Sequence, residues 1–236
     1  MKNKLYIVSI PIGNYEDITL RALNVLKSVD FIICEEYKPA RRLLSQYDIE
    51  KELFALNEHN EKEAASEVVA EILNGKTTAL ISDAGTPLFS DPGSFLVNQC
   101  ISRKIEIIPV PGASSLLAAL VGAGFNLDKF YYYGWLSPKK DIRQSQLQKL
   151  KAIKELIVIM ETPYRLIALL QDVVKVFGKN QNIVVAFKLT QEGEKYYRGN
   201  AADILNRLSE KKEKGEFVLL IDNRKNKKFS KQKIKT

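Results

Sequence analysis

Three stretches of this chain place hydroxyls, a carboxylate and bare backbone where a ligand could be held. They are Pro11-Ile12-Gly13-Asn14, then Ser82-Asp83-Ala84-Gly85-Thr86-Pro87 running on to Ser90-Asp91-Pro92-Gly93, then Pro109-Val110-Pro111-Gly112-Ala113-Ser114-Ser115. Glycine lets backbone approach a ligand, and proline stiffens a turn. Any one of them alone reads as a tight connection. Three in succession, each ending a strand-like run, describe a cleft beyond the carboxyl ends of the strands, where open α/β sheets bind ligands. Asp83 there could accept hydrogen bonds from a ligand amine and favour a nearby cation; its competing role is a helix N-cap. Neither G-x-G-x-x-G nor G-x-x-x-x-G-K-[ST] occurs, which argues against an ordinary dinucleotide site and a P-loop.

Groups able to move a proton are few. His59, the single histidine, lies in Asn57-Glu58-His59-Asn60-Glu61 ahead of a helix, and a lone histidine is more often a structural residue or cap. Glu35 and Glu36 are adjacent carboxylates at a strand end, and Glu161 is a further candidate. Arg165 could bind a phosphate or form a surface ion pair of small value. The two cysteines, Cys34 and Cys100, sit in apolar runs without metal-ligand or redox spacing, so they read as reduced core residues and no metal is expected.

The elements that must position these groups alternate from the first residues, the pattern of a mainly parallel sheet flanked by helices. Leu5–Ile10, Phe31–Cys34, Thr78–Ser82 and Ile105–Val110 are predicted strands. Leu20–Lys27, Ala40–Gln46, Glu61–Leu73, Phe95–Ser102 and Ser114–Val121 are predicted helices, with Asp17 and Thr19 as N-cap candidates for the first. Gly122–Asp128 is the candidate linker. Beyond it, strands are expected at Tyr131–Gly134, Leu156–Met160, Ile183–Phe187, Lys195–Arg198 and Phe217–Ile221, and helices at Ile142–Ala152, Arg165–Val176 and Ala201–Glu210. The division expected is a domain over residues 1–122, a second over 123–223 and a basic tail over 224–236.

With 45% hydrophobic and 27% charged residues the composition is that of a globular protein. Of the net charge of +8, seven positive charges lie between Arg224 and Thr236, which leaves the rest nearly neutral. That tail either follows a phosphate backbone or is a solvated end. No stretch approaches the ~20 apolar residues of a membrane span, and no signal-peptide core precedes Pro11, so a cytoplasmic location is expected.

The series LYIVSIPIGNYEDITLRAL, ARRLLSQYDI, NEHNE, ALISDAGTPLFSDPGS, PVPGASSLLAAL, METPYRL and KGEFVLLI, in this order, resembles the tetrapyrrole (corrin/porphyrin) methylases. Within them it is similar to the subfamily that methylates a cytidine ribose 2′-hydroxyl of 16S ribosomal RNA. The resemblance implies two α/β domains, with a mainly parallel sheet in the first and a mixed sheet in the second. It also implies S-adenosylmethionine in a cleft between them, a homodimer, and 16S RNA or the small ribosomal subunit as partner. Carried over by position, it puts Pro11, Ile12, Asp83, Thr86, Ser114 and Ser115 at the cofactor, with Met160, Leu189 and Phe217 against its adenine or ribose. It leaves Lys38, Arg41, Arg42 and Arg165 for the RNA.

The likeness thins in the segments assigned to substrate. The family's E-D-T-R stands here as Glu35-Glu36-Tyr37-Lys38, E-S-P-H-R as Glu161-Thr162-Pro163-Tyr164-Arg165, and R-E-L-T-K as Phe187-Lys188-Leu189-Thr190-Gln191; Asn57 replaces the first histidine of H-E-H-N-E. Cofactor use is therefore the firmer expectation. A tetrapyrrole, corrinoid or other small-molecule acceptor, and a non-catalytic protein that binds S-adenosylmethionine, are the alternatives.

Overall fold

The computed structural model describes residues 3–89, 91–211 and 214–224. The described residues form two compact units, the first from the N-terminal side as far as Ala118 with Lys188–Glu194, and the second Ala119–Phe187 with the described residues from Lys195 to Arg224.

In the first unit β1 (Lys4–Val8), β2 (Phe31–Cys34), β3 (Glu52–Ala55), β4 (Thr78–Leu80) and β5 (Glu106–Val110) form one parallel sheet in the order β3-β2-β4-β1-β5. Its helices are α1 (Leu20–Ser28), α2 (Tyr37–Ser45), α3 (Glu61–Leu73), α4 (Ser94–Ser102) and α5 (Ser115–Ala123), the last running on into the second unit. Successive strand residues face opposite sides. Ile32 and Cys34 pack with Leu26, Leu43 and Leu44 of α1 and α2, while Phe31 and Ile33 pack with Val68, Ile72 and Leu96 of α3 and α4. A sheet covered on both faces accounts for the unbroken apolar runs.

The second unit holds β6 (Phe130–Trp135), α6 (Lys140–Leu150), β7 (Leu156–Glu161), α7 (Leu166–Phe177), β8 (Asn182–Phe187), β9 (Lys195–Asn200), α8 (Ala201–Lys211) and β10 (Phe217–Asp222). Its sheet, ordered β6-β7-β10-β8-β9, is mixed: β6 and β7 are parallel and the other pairs antiparallel. Ile157, Ile159, Val185, Leu219 and Ile221 pack against Leu147, Leu169, Val173 and Ile204 of the helices.

Several local expectations need correction. The strand β3 is absent from the sequence reading, because Glu52-Leu53-Phe54-Ala55 lacks β-branched residues and becomes a strand by pairing with β2 at the sheet edge. The helix α2 begins at Tyr37, not Ala40, since Pro39 is tolerated in a first helical turn. Thr19 caps α1, its hydroxyl accepting the Ala22 N–H at 3.0 Å, whereas Asp17 belongs to a separate turn of 3-10 helix, Tyr15–Asp17. Gly122, expected in a linker, is helical, and Arg198 donates to its carbonyl near the end of α5. Of the basic tail, Arg224 is folded: it pairs with Asp222 at 2.7 Å and donates to the Asn126 carbonyl at 2.9 Å. Lys225–Thr236 lies outside the described residues.

Candidate active site

The three turns follow β1, β4 and β5, which are neighbours in the sheet, and they are stitched to one another. Ile10 N–H donates to the Gly85 carbonyl at 2.9 Å and Gly85 N–H to the Pro11 carbonyl at 3.3 Å, joining first turn to second. Thr86 Oγ1 donates to the Ala113 carbonyl at 2.9 Å, joining second to third, and stands 2.9 Å from Ser9 Oγ. Ser9 N–H donates to the Val110 carbonyl at 3.1 Å, joining first to third. A Cβ on Gly112 would lie 3.0 Å from Ser9 Cβ, and one on Gly85 2.8 Å from Ile12 Cγ2, so glycine permits both approaches. Pro11, Ile12, Thr86, Ser114 and Ser115 are thereby collected in one place. The Thr86 hydroxyl belongs to this clasp, and the Ser114 carbonyl takes the Ala118 N–H of α5.

Carboxylates gather at the same edge of the sheet. Asp83 lies near the backbone N–H of Glu36, the residue preceding α2, and so faces from β4 towards β2; it does not cap α4, whose N-cap position is Gly93. Its pKa is raised, by desolvation foremost and by the Glu36 charge, with the Glu36 N–H opposing. Glu35 is raised by burial and then by Asp83, Asp91, Glu36 and Glu58; Asp91 is raised by burial and then by Asp83. Carboxylates that resist ionisation together mark a region of negative potential, which a cation would relieve. Cys34 beside them is pushed up to about 11 by burial and by Asp83, against Arg41, so it remains a thiol.

Other candidates fall elsewhere. In the Asn57–Glu61 segment Asn60 Oδ1 accepts from Asn57 N–H at 2.8 Å and Asn57 Oδ1 from His59 N–H at 3.0 Å, while the His59 imidazole is 85% exposed beside Glu58. The working residue of that segment is Glu61, whose Oε1 accepts the N–H groups of Gly93 and Phe95 at 2.8 and 3.0 Å and so holds the start of α4. Lys38, Arg41 and Arg42 lie exposed along α2, with Arg41 in an open groove of about 960 Å³ along α2 and β3 that includes none of the three turns. Leu189 is buried in the first unit, in the segment packed against Gly13.

In the second unit the β7 end carries Met160, which accepts from Tyr132 Oη at 3.3 Å, and Glu161, which is buried. Phe217 pairs with Glu161 across the sheet. Glu161 Oε1 accepts from Thr162 N–H at 2.8 Å and from Arg165 at 2.5 Å, while Oε2 has no hydrogen-bond partner among the described residues. Glu161 and Arg165, read separately from the sequence, are one ion pair. Ser9 and Glu61, which stand outside the three stretches, make contacts at these turns that sequence reasoning does not single out; the signal for Ser9, a polar residue closing an apolar strand just ahead of Pro11, is present in the sequence.

The family model described as Tetrapyrrole (Corrin/Porphyrin) Methylases matches residues 4–205, a span that contains all three turns. The protein named ribosomal RNA small subunit methyltransferase I of Buchnera aphidicola subsp. Schizaphis graminum is 39% identical, covering 98% of this chain and 84% of its own length. Its namesake in Thermotoga maritima is 37% identical, covering 94% of this chain and 99% of its own. Among solved structures, a diphthine synthase aligns with TM-score 0.71 at 14% identity, over 92% of this chain and 88% of its own. Uroporphyrin-III-C-methyltransferase from Thermus thermophilus aligns with TM-score 0.63 at 18% identity, over 94% and 96%. At these identities the structural likeness shows a shared fold. The sequence match goes further: the chain belongs to the tetrapyrrole (corrin/porphyrin) methylases and is a methyltransferase.

Proposed function

We propose that the protein methylates a cytidine ribose 2′-hydroxyl of 16S ribosomal RNA, with S-adenosylmethionine as donor. The observation that carries the substrate is the likeness, across nearly the whole chain, to relatives named for the ribosomal small subunit. The donor is supported by the chemistry of the first unit. Glycine-containing turns offer backbone to polar ligand ends, and Asp83, Glu35 and Asp91 supply the negative field that suits a cation.

When bound, S-adenosylmethionine supplies an already activated methyl group. The chain is left to align the acceptor, exclude water and remove the acceptor proton. Pro11, Ile12, Asp83, Ser114 and Leu189 are the first-unit residues for holding the donor, with Thr86 acting through the clasp. Glu35, paired with Glu36, is the preferred base, because a raised pKa gives a carboxylate greater proton affinity. His59 is too exposed for that role. Lys38, Arg41 and Arg42, on the helix that begins just after Glu36, are positioned to meet RNA phosphates.

Incubation of the protein with donor and small subunits from cells lacking it, followed by mass mapping of the RNA, tests the reading. One new ribose methyl on a 16S cytidine is expected. No methyl in the RNA, with a corrinoid or haem precursor methylated instead, would overturn it in favour of a small-molecule acceptor; no transfer at all would leave a non-catalytic binding protein. A homodimer in the cytoplasm belongs to the same proposal, and light scattering should report twice the chain mass. Among the described residues no helix is long and apolar enough to cross a membrane.

A further inference from the structure

The segment Lys188–Glu194, between β8 and β9, folds within the first unit against the first of the three turns. Thr190 Oγ1 accepts the backbone N–H of Asn14 at 3.1 Å. A Cβ on Gly13 would meet Gln191 Cγ, would lie 2.9 Å from Thr190 Oγ1 and 3.1 Å from the Leu189 carbonyl, so only glycine permits this approach. The contact is made at a conformational cost. Lys188 has φ 50° and Thr190 φ 62°, the left-handed region that a β-branched residue rarely enters.

The surrounding bonds hold that conformation in place. Thr190 N–H donates to Glu194 Oε2 at 2.6 Å, Gln191 N–H to the Lys188 carbonyl at 3.0 Å, and Glu194 N–H to the Gln191 carbonyl at 3.0 Å. Glycine at 190 would relieve the strain, but it has no hydroxyl to offer Asn14. Asn14 cannot compensate with its own side chain, because its Oδ1 accepts the Glu16 N–H at 3.0 Å. The entry to the turn is fixed by the Ile10–Gly85 and Gly85–Pro11 bonds, and its exit by Thr190. Strain retained where the surroundings over-determine it marks a functional constraint.

We propose that Thr190 is a positioning residue: its hydroxyl latches the Pro11–Asn14 turn in the conformation that receives the methyl donor. This rests on the reading that the turn borders S-adenosylmethionine. The test compares Thr190→Ser, Thr190→Val and Thr190→Gly in the full chain. Three readouts are taken: calorimetric binding of S-adenosylhomocysteine, melting without ligand, and amide exchange over residues 10–16. Val and Gly should weaken binding roughly five- to tenfold, the size of one lost hydrogen bond, and speed exchange at Asn14, while Ser stays near wild type. Thr190→Gly is the discriminating variant, since relief of the positive φ offsets the lost hydrogen bond and glycine's greater freedom in the unfolded chain: it should bind weakly while melting near the wild-type temperature. Val and Gly variants that bind like wild type, or lose affinity only in step with lost melting temperature, overturn the latch. Wild-type protein that binds no ligand overturns the donor reading instead, and exchange at Asn14 then decides the latch by itself.

Discussion

The Thr86 hydroxyl touches two other turns at once, standing 2.9 Å from the Ser9 hydroxyl and donating to the Ala113 carbonyl at 2.9 Å. With its own proton directed at Ala113, Thr86 Oγ1 is the acceptor for Ser9, which is 3% exposed. Thr86→Val keeps the shape and removes both bonds, leaving a buried hydroxyl without its acceptor. Urea unfolding should show a loss of about 1–3 kcal/mol, and Thr86→Ser should recover most of it. Unchanged stability with lost ligand affinity would show that the hydroxyl serves the ligand directly.

Asp83 and Glu35 give a pH dependence whose sign is fixed by their raised pKa values. As pH rises from the ordinary carboxylate range (3.8 for Asp, 4.5 for Glu) through the higher folded values, the unfolded chain ionises first. The ligand-free protein therefore loses stability across that window and does not regain it above. A cationic ligand should bind more tightly over the same interval and release protons, whereas S-adenosylhomocysteine, which lacks the sulfonium charge, should respond less. Melting and calorimetry from about pH 4 to 7 check both trends, and Glu35→Gln should flatten them. Asp83→Asn removes the charge of an exposed side chain and keeps its shape, so it should weaken donor binding with little change in stability.

The strands other than β3, and the three turns, were legible because local chemistry encodes them. Apolar runs such as Phe31–Cys34 read as strands buried on both faces, and Gly13, Gly85 and Gly112 mark turns without reference to distant residues. The bonds between turns were not legible. Asn14 and Thr190 are 176 positions apart, and no local pattern announces a segment that leaves β8 to pack beside Gly13. The Asn57–Glu61 segment misled in a different way. His59 is the residue type expected at a site, yet Glu61 makes the contacts, through amides at Gly93 and Phe95 that only the fold brings near.

Arg165 illustrates how a residue suited to a phosphate can be committed elsewhere. Its pairing with buried Glu161 at 2.5 Å means that Arg165→Met leaves a carboxylate buried without its cation. Removing one partner of a buried pair costs about 3–5 kcal/mol, so this variant should unfold at markedly lower urea concentration. Glu161→Gln/Arg165→Met removes both charges and should recover much of the stability. RNA affinity measured on the double variant then separates the roles: normal binding shows Arg165 to be structural, and weak binding at restored stability shows a phosphate contact.

The last prediction concerns the basic end. Arg224 is held by Asp222, so the charges left to meet RNA begin at Lys225 and number six in the sequence. Deletion of Lys225–Thr236 should leave donor affinity unchanged, because the three turns and their carboxylates lie within residues 9–115. Binding to small-subunit RNA should weaken, and the slope of log affinity against log salt should become shallower. Each lost phosphate contact should lower it by roughly 0.7–0.9. Filter binding between about 50 and 200 mM salt measures the slope. A slope and affinity equal to those of the full chain would show that the tail makes no phosphate contact, and would move the search for RNA recognition to Lys38, Arg41 and Arg42 on α2.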